Sequence, residues 1–213
     1  NLGSVNLVNH MNEIYKKDGS LSKRSINFTE LGSTIDLAVR MLDNVIDLNF
    51  YPTKEAEKSN SRHRPVGLGL MGIHDVLHLL DVPFDSDESV EINDKIFKYY
   101  SYRAISASSS LAKERGPYKS YSGSLWDQNI FPIDSWGNLM RYRGVETEDV
   151  PEDDHASIRS HVKEYGMRNS NVMAIAPTAT IGYINGVEQS IEPNFSVLFV
   201  YENKSGNFYI TNE

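Results

Sequence analysis

The sequence predicts a mixed α/β fold in which helices dominate. Two stretches with helical periodicity, 29–48 and 85–115, are far longer than any extended run. The extended runs, at 1–8, 172–176, 197–201 and 208–210, are short and rich in apolar residues. They are too few for a complete barrel or a doubly wound sheet, so residues 1–213 read as a single segment of a larger domain.

Taken in order, residues 1–8 alternate loosely and predict a short strand, and Lys16 to Ser20 form a polar turn. Thr29 is placed to cap a helix beginning at Glu30. Leu31, Ile35, Ala38, Leu42, Val45 and Ile46 recur on one face of that helix to about Leu48, before Tyr51-Pro52 ends it. Residues 54–60 predict a short polar helix, followed by a basic loop, Arg62-His63-Arg64-Pro65. The run 67–80, GLGLMGIHDVLHLL, is apolar nearly all round and predicts a buried helix. Asp85 and Glu88 have the spacing of a capping box, with Asp in place of Ser or Thr. The long helix they open carries Ile92, Ile96, Tyr99, Ile105 and Leu111 toward the core, and Gly116-Pro117 stops it. Residues 118–150 read as an irregular, partly exposed connection, and 152–165 as another helix ended by Gly166. The strand 172–176 follows. Asn203-Lys204-Ser205-Gly206, flanked by the apolar runs at 197–201 and 208–210, is a hairpin signal.

Composition narrows the function classes. Hydrophobic residues make up 39 % and charged residues 23 %, as in ordinary globular proteins. A net charge of −8 argues against non-specific nucleic-acid binding, which needs a basic footprint. No apolar run approaches the ~20 residues of a membrane helix, and the N-terminal residues lack the pattern of a signal peptide. The expected location is therefore the cytoplasm. The first residue is Asn1 and not Met, so the chain is expected to begin inside a longer reading frame or after processing. With no cysteine, the 213 residues contain no disulfide, no thiolate metal site and no cysteine nucleophile.

The strongest local signal is the run 167–193, MRNSNVMAIAPTATIGYINGVEQSIEP. The apolar strand ends at Pro177 and opens into a loop of small and hydroxyl residues, Thr178, Ala179, Thr180, Ile181 and Gly182. Backbone N–H groups and hydroxyls in such a loop suit an anion such as phosphate.

Other motifs have stronger structural readings than functional ones. Gly67-Leu68-Gly69-Leu70-Met71-Gly72 matches G-x-G-x-x-G, but Arg62 to Val66 is a poor strand and Asp87 belongs to a capping sequence. These glycines are better explained as letting a helix pack closely against a neighbouring backbone. His74 and His78 are spaced to share a metal, yet Asp75 replaces the metalloprotease Glu and no third ligand is evident, which favours hydrogen-bonded core histidines. The acidic clusters Glu146 to Asp149 and Asp153-Asp154 read as solvated faces or helix starts. Glu188 and Glu192 read as parts of a turn before Pro193. Tyr118, Tyr121, Trp126 and Trp136 read as aromatic pins on a long connection.

Four segments in register carry a family resemblance: NLGSVNL at 1–7, SNSRHRPVGLGLMGIHD at 59–75, LAKERGPY at 111–118, and MRNSNVMAIAPTATIGYINGVEQSIEPNFSVLF at 167–199. Together they resemble the large (α) subunit of aerobic, class I-like ribonucleotide reductase, over essentially the whole chain. The resemblance implies a helix-rich part of a ten-stranded α/β barrel built from two antiparallel halves, within its second half. It implies radical reduction of ribonucleotides to deoxyribonucleotides. It assigns the substrate's phosphates to the loop Pro177, Thr178, Ala179, Thr180, Ile181 and Gly182. Thr178 to Ile181 hold them there, and Pro177 and Gly182 shape the loop.

The resemblance also implies what these residues do not supply. The finger-loop cysteine that becomes a thiyl radical belongs upstream, one reducing cysteine just before Asn1, and the radical-relay tyrosines downstream. No catalytic residue, metal or cofactor is therefore expected within the chain. The complete enzyme would use a radical generator, in a metal-containing small subunit rather than cobalamin, and a thioredoxin- or glutaredoxin-type dithiol reductant. The implied partners are the N-terminal part of the large subunit, that small subunit and a ribonucleotide, with no nucleic acid or membrane. The alternative is a non-enzymatic nucleotide- or phosphate-binding module.

Overall fold

A computed structural model describes residues 1–143, 156–196 and 198–211. The acidic clusters at 146–149 and 153–154 lie outside the described residues. So does the predicted start of the helix at 152–155.

The centre is a parallel pair. β1 (Leu2–Asn6) runs beside β4 (Gly67–Met71), in register from Leu2 opposite Gly67 to Asn6 opposite Met71. The segment after Asn171 lies along the other side of β4. Leu68 N–H donates to Val172 O at 2.9 Å and Ala174 N–H to Leu68 O at 2.8 Å. The strand expected at 172–176 is thus reduced to one parallel bridge, Leu68 with Met173. Gly67 and Gly69 permit this approach: a Cβ on Gly69 would lie 2.6 Å from Ala174 O, and one on Gly67 2.8 Å from Ala174 Cβ. The close-packing reading of the glycines holds, on a strand and not on a helix.

That corrects the expectation of a buried helix over 67–80. All five residues of β4 are buried. A strand covered on both faces is apolar throughout and lacks the alternation that marks a half-exposed one. Gly72, at φ +79°, breaks the strand, and α3 (Ile73–Leu79) follows.

α1 (Phe28–Leu48) and α4 (Asp87–Arg115) pack on each other; α1 also packs on this pair, and α4 reaches it through the buried Tyr100, whose hydroxyl donates to Leu68 O. Both start signals shift. Asn27, not Thr29, caps α1 by accepting from Glu30 N–H at 3.1 Å, and Ser86, not Asp85, caps α4 by accepting from Ser89 N–H at 3.1 Å. In each case the residue with β or turn geometry before the first helical turn holds the acceptor, as capping requires. On α1 the buried residues are Leu31, Gly32, Ile35, Val39, Asp43 and Ile46, while Val45 is exposed. α4 ends as expected at Gly116, which has φ +83°.

α2 (Lys54–His63) absorbs Arg62 and His63 from the expected basic loop, and Arg64 takes the left-handed cap position at φ 47°. The turn at Lys16–Ser20 closes an antiparallel hairpin, β2 (Met11–Tyr15) with β3 (Leu21–Ile26), whose strands carry little apolar alternation. The connection after residue 118 is more ordered than expected. Tyr118 and Phe131 are buried, Trp126 Nε1 donates to Ser170 O at 2.9 Å, and α5 (Pro132–Tyr142) forms. α6 (Ala156–Tyr165) buries Ile158 and Val162 and ends at Gly166. β5 (Leu198–Asn203) and β6 (Gly206–Thr211) make the expected hairpin. The core gathers Leu7, Leu31, Ile35, Leu68, Leu70 and Ile105 with buried residues of the surrounding helices. Among the described residues no helix is long and apolar enough to cross a membrane.

A buried ionic network locks the helices to the segment leading into 172–174. The Asp43 carboxylate is fully buried. It meets Arg64 Nε at 2.8 Å, Arg115 Nη1 at 3.2 Å and Arg168 Nε at 3.2 Å. Arg64 also binds Asp47 through both terminal nitrogens, at 2.7 and 2.8 Å. Burial works against the Arg64 charge, but the hydrogen bonds it donates to Asp47 and Asp43 outweigh it and raise its pKa, and Arg64 in turn lowers that of Asp47.

Candidate functional site

The bridge to β4 delivers the chain to Pro177 in a fixed direction. Thr178 then turns sharply, at φ 57° and ψ −16°, and Ala179 follows at φ 22°. The expected open loop at 178–182 is instead the first turn of a short helix, α7 (Ala179–Asn185), which Gly186 ends at φ 65°.

The six residues singled out in the sequence are therefore contiguous in one turn. Pro177, Ala179, Thr180 and Ile181 are exposed, whereas Thr178 and Gly182 are buried. Ala179 N–H donates to Pro177 O at 2.7 Å, Ile181 N–H to Thr178 O at 2.8 Å, and Gly182 N–H to Thr178 O at 3.2 Å. Neither the Thr180 N–H nor its hydroxyl bonds to a described residue, so both are free to meet solvent or a ligand.

Ile181 and Asn185 reach an open groove of about 500 Å³ that runs along β1. Ser4, Asn6, Asn9, His10 and Thr34 give it a polar end, and Ala38, Met41 and Leu42 of α1 an apolar one. His10 is held there by Asn6 O at 2.9 Å and Thr34 Oγ1 at 2.9 Å. A groove with apolar walls and a few convergent polar groups is the usual form of a small-molecule site.

A strap at 187–194, whose anchoring the sequence does not reveal, supports α7 from behind. Three of its backbone N–H groups end on side chains: Glu188 on Asp75 Oδ2 at 2.7 Å, Ser190 on Thr178 Oγ1 at 2.9 Å, and Asn194 on His74 Nδ1 at 2.6 Å. Gly72 N–H adds a bond to Glu188 O at 3.0 Å. The turn reading of 188–193 agrees with Glu192 N–H donating to Gln189 O at 2.9 Å. No local periodicity marks such long-range acceptors; the only sequence cue is that Asp75 and His74 follow the Gly72 break.

His74 and His78 lie ring to ring, with centroids 4.2 Å apart, and Phe84 meets His74 edge-on at 5.1 Å. Burial, and then the neighbouring His78, lower the His74 pKa, which suits its role as a neutral acceptor. Among the described residues no group of three or more His, Asp or Glu side chains is arranged to hold a metal ion.

The sequence model of the ribonucleotide reductase barrel domain matches residues 1–213. The ribonucleoside-diphosphate reductase subunit alpha of Chlamydia muridarum is 51% identical over 215 residues, which cover 100% of this chain and 20% of that protein. The large subunit of Plasmodium falciparum is 36% identical over 192 residues, covering 90% of this chain and 23% of that protein. That of Danio rerio is 38% identical over 193 residues, with the same coverage of 90% and 23%. The chain spans about a fifth of the length of the curated relatives it matches.

Proposed function

This chain belongs to the ribonucleotide reductase barrel-domain family, and from that membership we propose that it serves within a ribonucleoside-diphosphate reductase large subunit. There it supplies part of the wall of a ten-stranded barrel, with β1 and β4 as neighbouring staves. Pro177, Thr178, Ala179, Thr180, Ile181 and Gly182 form the seat for the substrate's phosphates.

The observation that carries this reading is the meeting of the 177–182 turn with the groove along β1. Ile181 lines the groove, whose volume of about 500 Å³ suits a nucleotide, and Thr180 beside it keeps an N–H and a hydroxyl unspent. A phosphate at Thr180 would leave the ribose and base to lie toward Ser4, Asn6 and His10.

The chain has no cysteine, so the hydrogen-abstracting thiol and the reducing dithiol come from the rest of the subunit. A metal-containing small subunit, in preference to cobalamin, supplies the radical, and a thioredoxin- or glutaredoxin-type protein renews the dithiol. The setting is the cytoplasm. The role of these 213 residues is to bind and orient the ribonucleotide.

The test compares binding of a ribonucleoside diphosphate with that of its nucleoside in the complete subunit, before and after Thr180→Ala. The variant should weaken diphosphate binding about tenfold or more, the size of one lost hydrogen bond to a charged group, and leave nucleoside binding unchanged. Equal losses for both ligands would remove the phosphate seat from 177–182. Purified alone with radical generator and reductant, the 213-residue chain should give no deoxyribonucleotide.

A further inference from the structure

Among the six seat residues, Thr178 alone carries a buried side chain with a hydrogen bond to a distant segment. Its backbone sits at φ +57°, a region that β-branched residues rarely enter. Ser190, whose N–H reaches Thr178 Oγ1 at 2.9 Å, is also buried and also left-handed, at φ +52°. Two strained residues thus hold each other across the gap between α7 and the strap. Strain of this kind persists only where the surroundings over-determine it.

The surroundings do so here. The strap is fixed to α3 by Asp75 and His74, and α3 follows directly on the fully buried β4. The far end of the turn bears on the same strap: a Cβ on Gly182 would lie 3.2 Å from both Val187 O and Gln189 Cγ. Both ends of 178–182 are therefore registered against residues 187–190.

We infer that Thr178 is a positioning residue for the phosphate seat. Its Oγ1 holds the turn against the strap, and Thr180, not Thr178, offers the side-chain donor to the phosphate. This rests on the phosphate-seat reading above.

The experiment uses the complete reductase, with its radical-generating subunit and dithiol reductant. Thr178→Val keeps the shape and removes the acceptor, Thr178→Ser restores it, and Thr178→Ala is the second deletion should the valine misfold. Valine or alanine should raise KM for the ribonucleoside diphosphate about fivefold, leave kcat within about twofold, and speed hydrogen exchange at the Ser190 amide. Serine should restore both KM and exchange. Faster Ser190 exchange with an unchanged KM would overturn the inference, as would a serine variant with the KM of the valine. If the unmodified enzyme bound nucleoside and diphosphate equally, the phosphate seat itself would fail, a result distinct from either.

Discussion

Asn169 donates its side-chain amide to Asp43 Oδ1 at 3.0 Å, joining positions 126 residues apart. The same amide reaches Arg64 O at 3.0 Å, and Ser108 Oγ receives the Asn169 N–H at 3.1 Å. One buried residue thus ties α1, the entry to β4 and α4 to the segment that leads toward Pro177.

Asp43 is the acceptor on which this arrangement depends. Replacing it with Asn keeps the shape but leaves Arg64, Arg115 and Arg168 without the buried charge they share. Breaking a buried ion pair from one side costs about 3–5 kcal/mol, because the remaining charge stays desolvated. Asp47 is half-exposed and already engaged by Arg64, so it offsets little. Asp43→Asn should lower the urea midpoint by an amount equal to about 3 kcal/mol. A shift under about 1 kcal/mol would mean that the network contributes little.

Gly69→Ala should weaken the contact between β4 and 172–174. The added carbon would lie 2.6 Å from Ala174 O and 2.9 Å from Ser4 Oγ, so backbone has to move. Overpacking of this kind costs about 1–3 kcal/mol. Gly3→Ala is the control, since its Cβ would meet only the Leu42 side chain, at 3.5 Å. Thermal melts should separate the two variants clearly. Equal melting temperatures would show that the 172–174 segment yields freely.

The caps give a direct comparison. Ser86→Ala should destabilise by about 1 kcal/mol, the usual cost of losing an N-cap acceptor, because Ser86 Oγ holds Ser89 N–H at 3.1 Å. Asp85→Ala should stay within ~0.5 kcal/mol. A larger effect at Asp85 would restore it as the cap.

How much the sequence disclosed follows from how local each cause is. α1, α4 and the β5–β6 hairpin rest on periodicity and stop signals within their own residues, and each is found close to its expected span. The caps moved by one or two positions because Thr29 and Asp85 are as capable of capping as Asn27 and Ser86; backbone geometry decides between them. β4 was hidden because burial on both faces erases alternation. The β2–β3 hairpin was hidden because its strands are mostly exposed and polar. At the candidate site, the contiguous run 177–182 was legible. Its conformation was not, since the strap that shapes it is held by His74, Asp75 and Thr178 across gaps of 120, 113 and 12 residues.

The strap should also respond to acid through His74. Its Nδ1 accepts the Asn194 N–H at 2.6 Å, so the ring is neutral on that side. Burial and the adjacent His78 hold its pKa below the ordinary 6.5, while Asp75 and Glu188 pull weakly the other way. Between the folded value and 6.5 the unfolded chain binds more protons than the folded one, so stability rises with pH in that window. The contribution is complete above about pH 6.5, declines as pH falls below it, and levels off under the folded value. Protonation also converts the acceptor into a donor facing the Asn194 N–H, so the strap should loosen locally before the fold does. His74→Asn places a non-titrating oxygen near the Nδ1 position. Its stability should therefore fall less steeply between pH 7 and pH 5 than that of the unmodified chain, with slower acid-induced exchange at Asn194. Parallel pH profiles for the two proteins would assign the acid sensitivity to other groups.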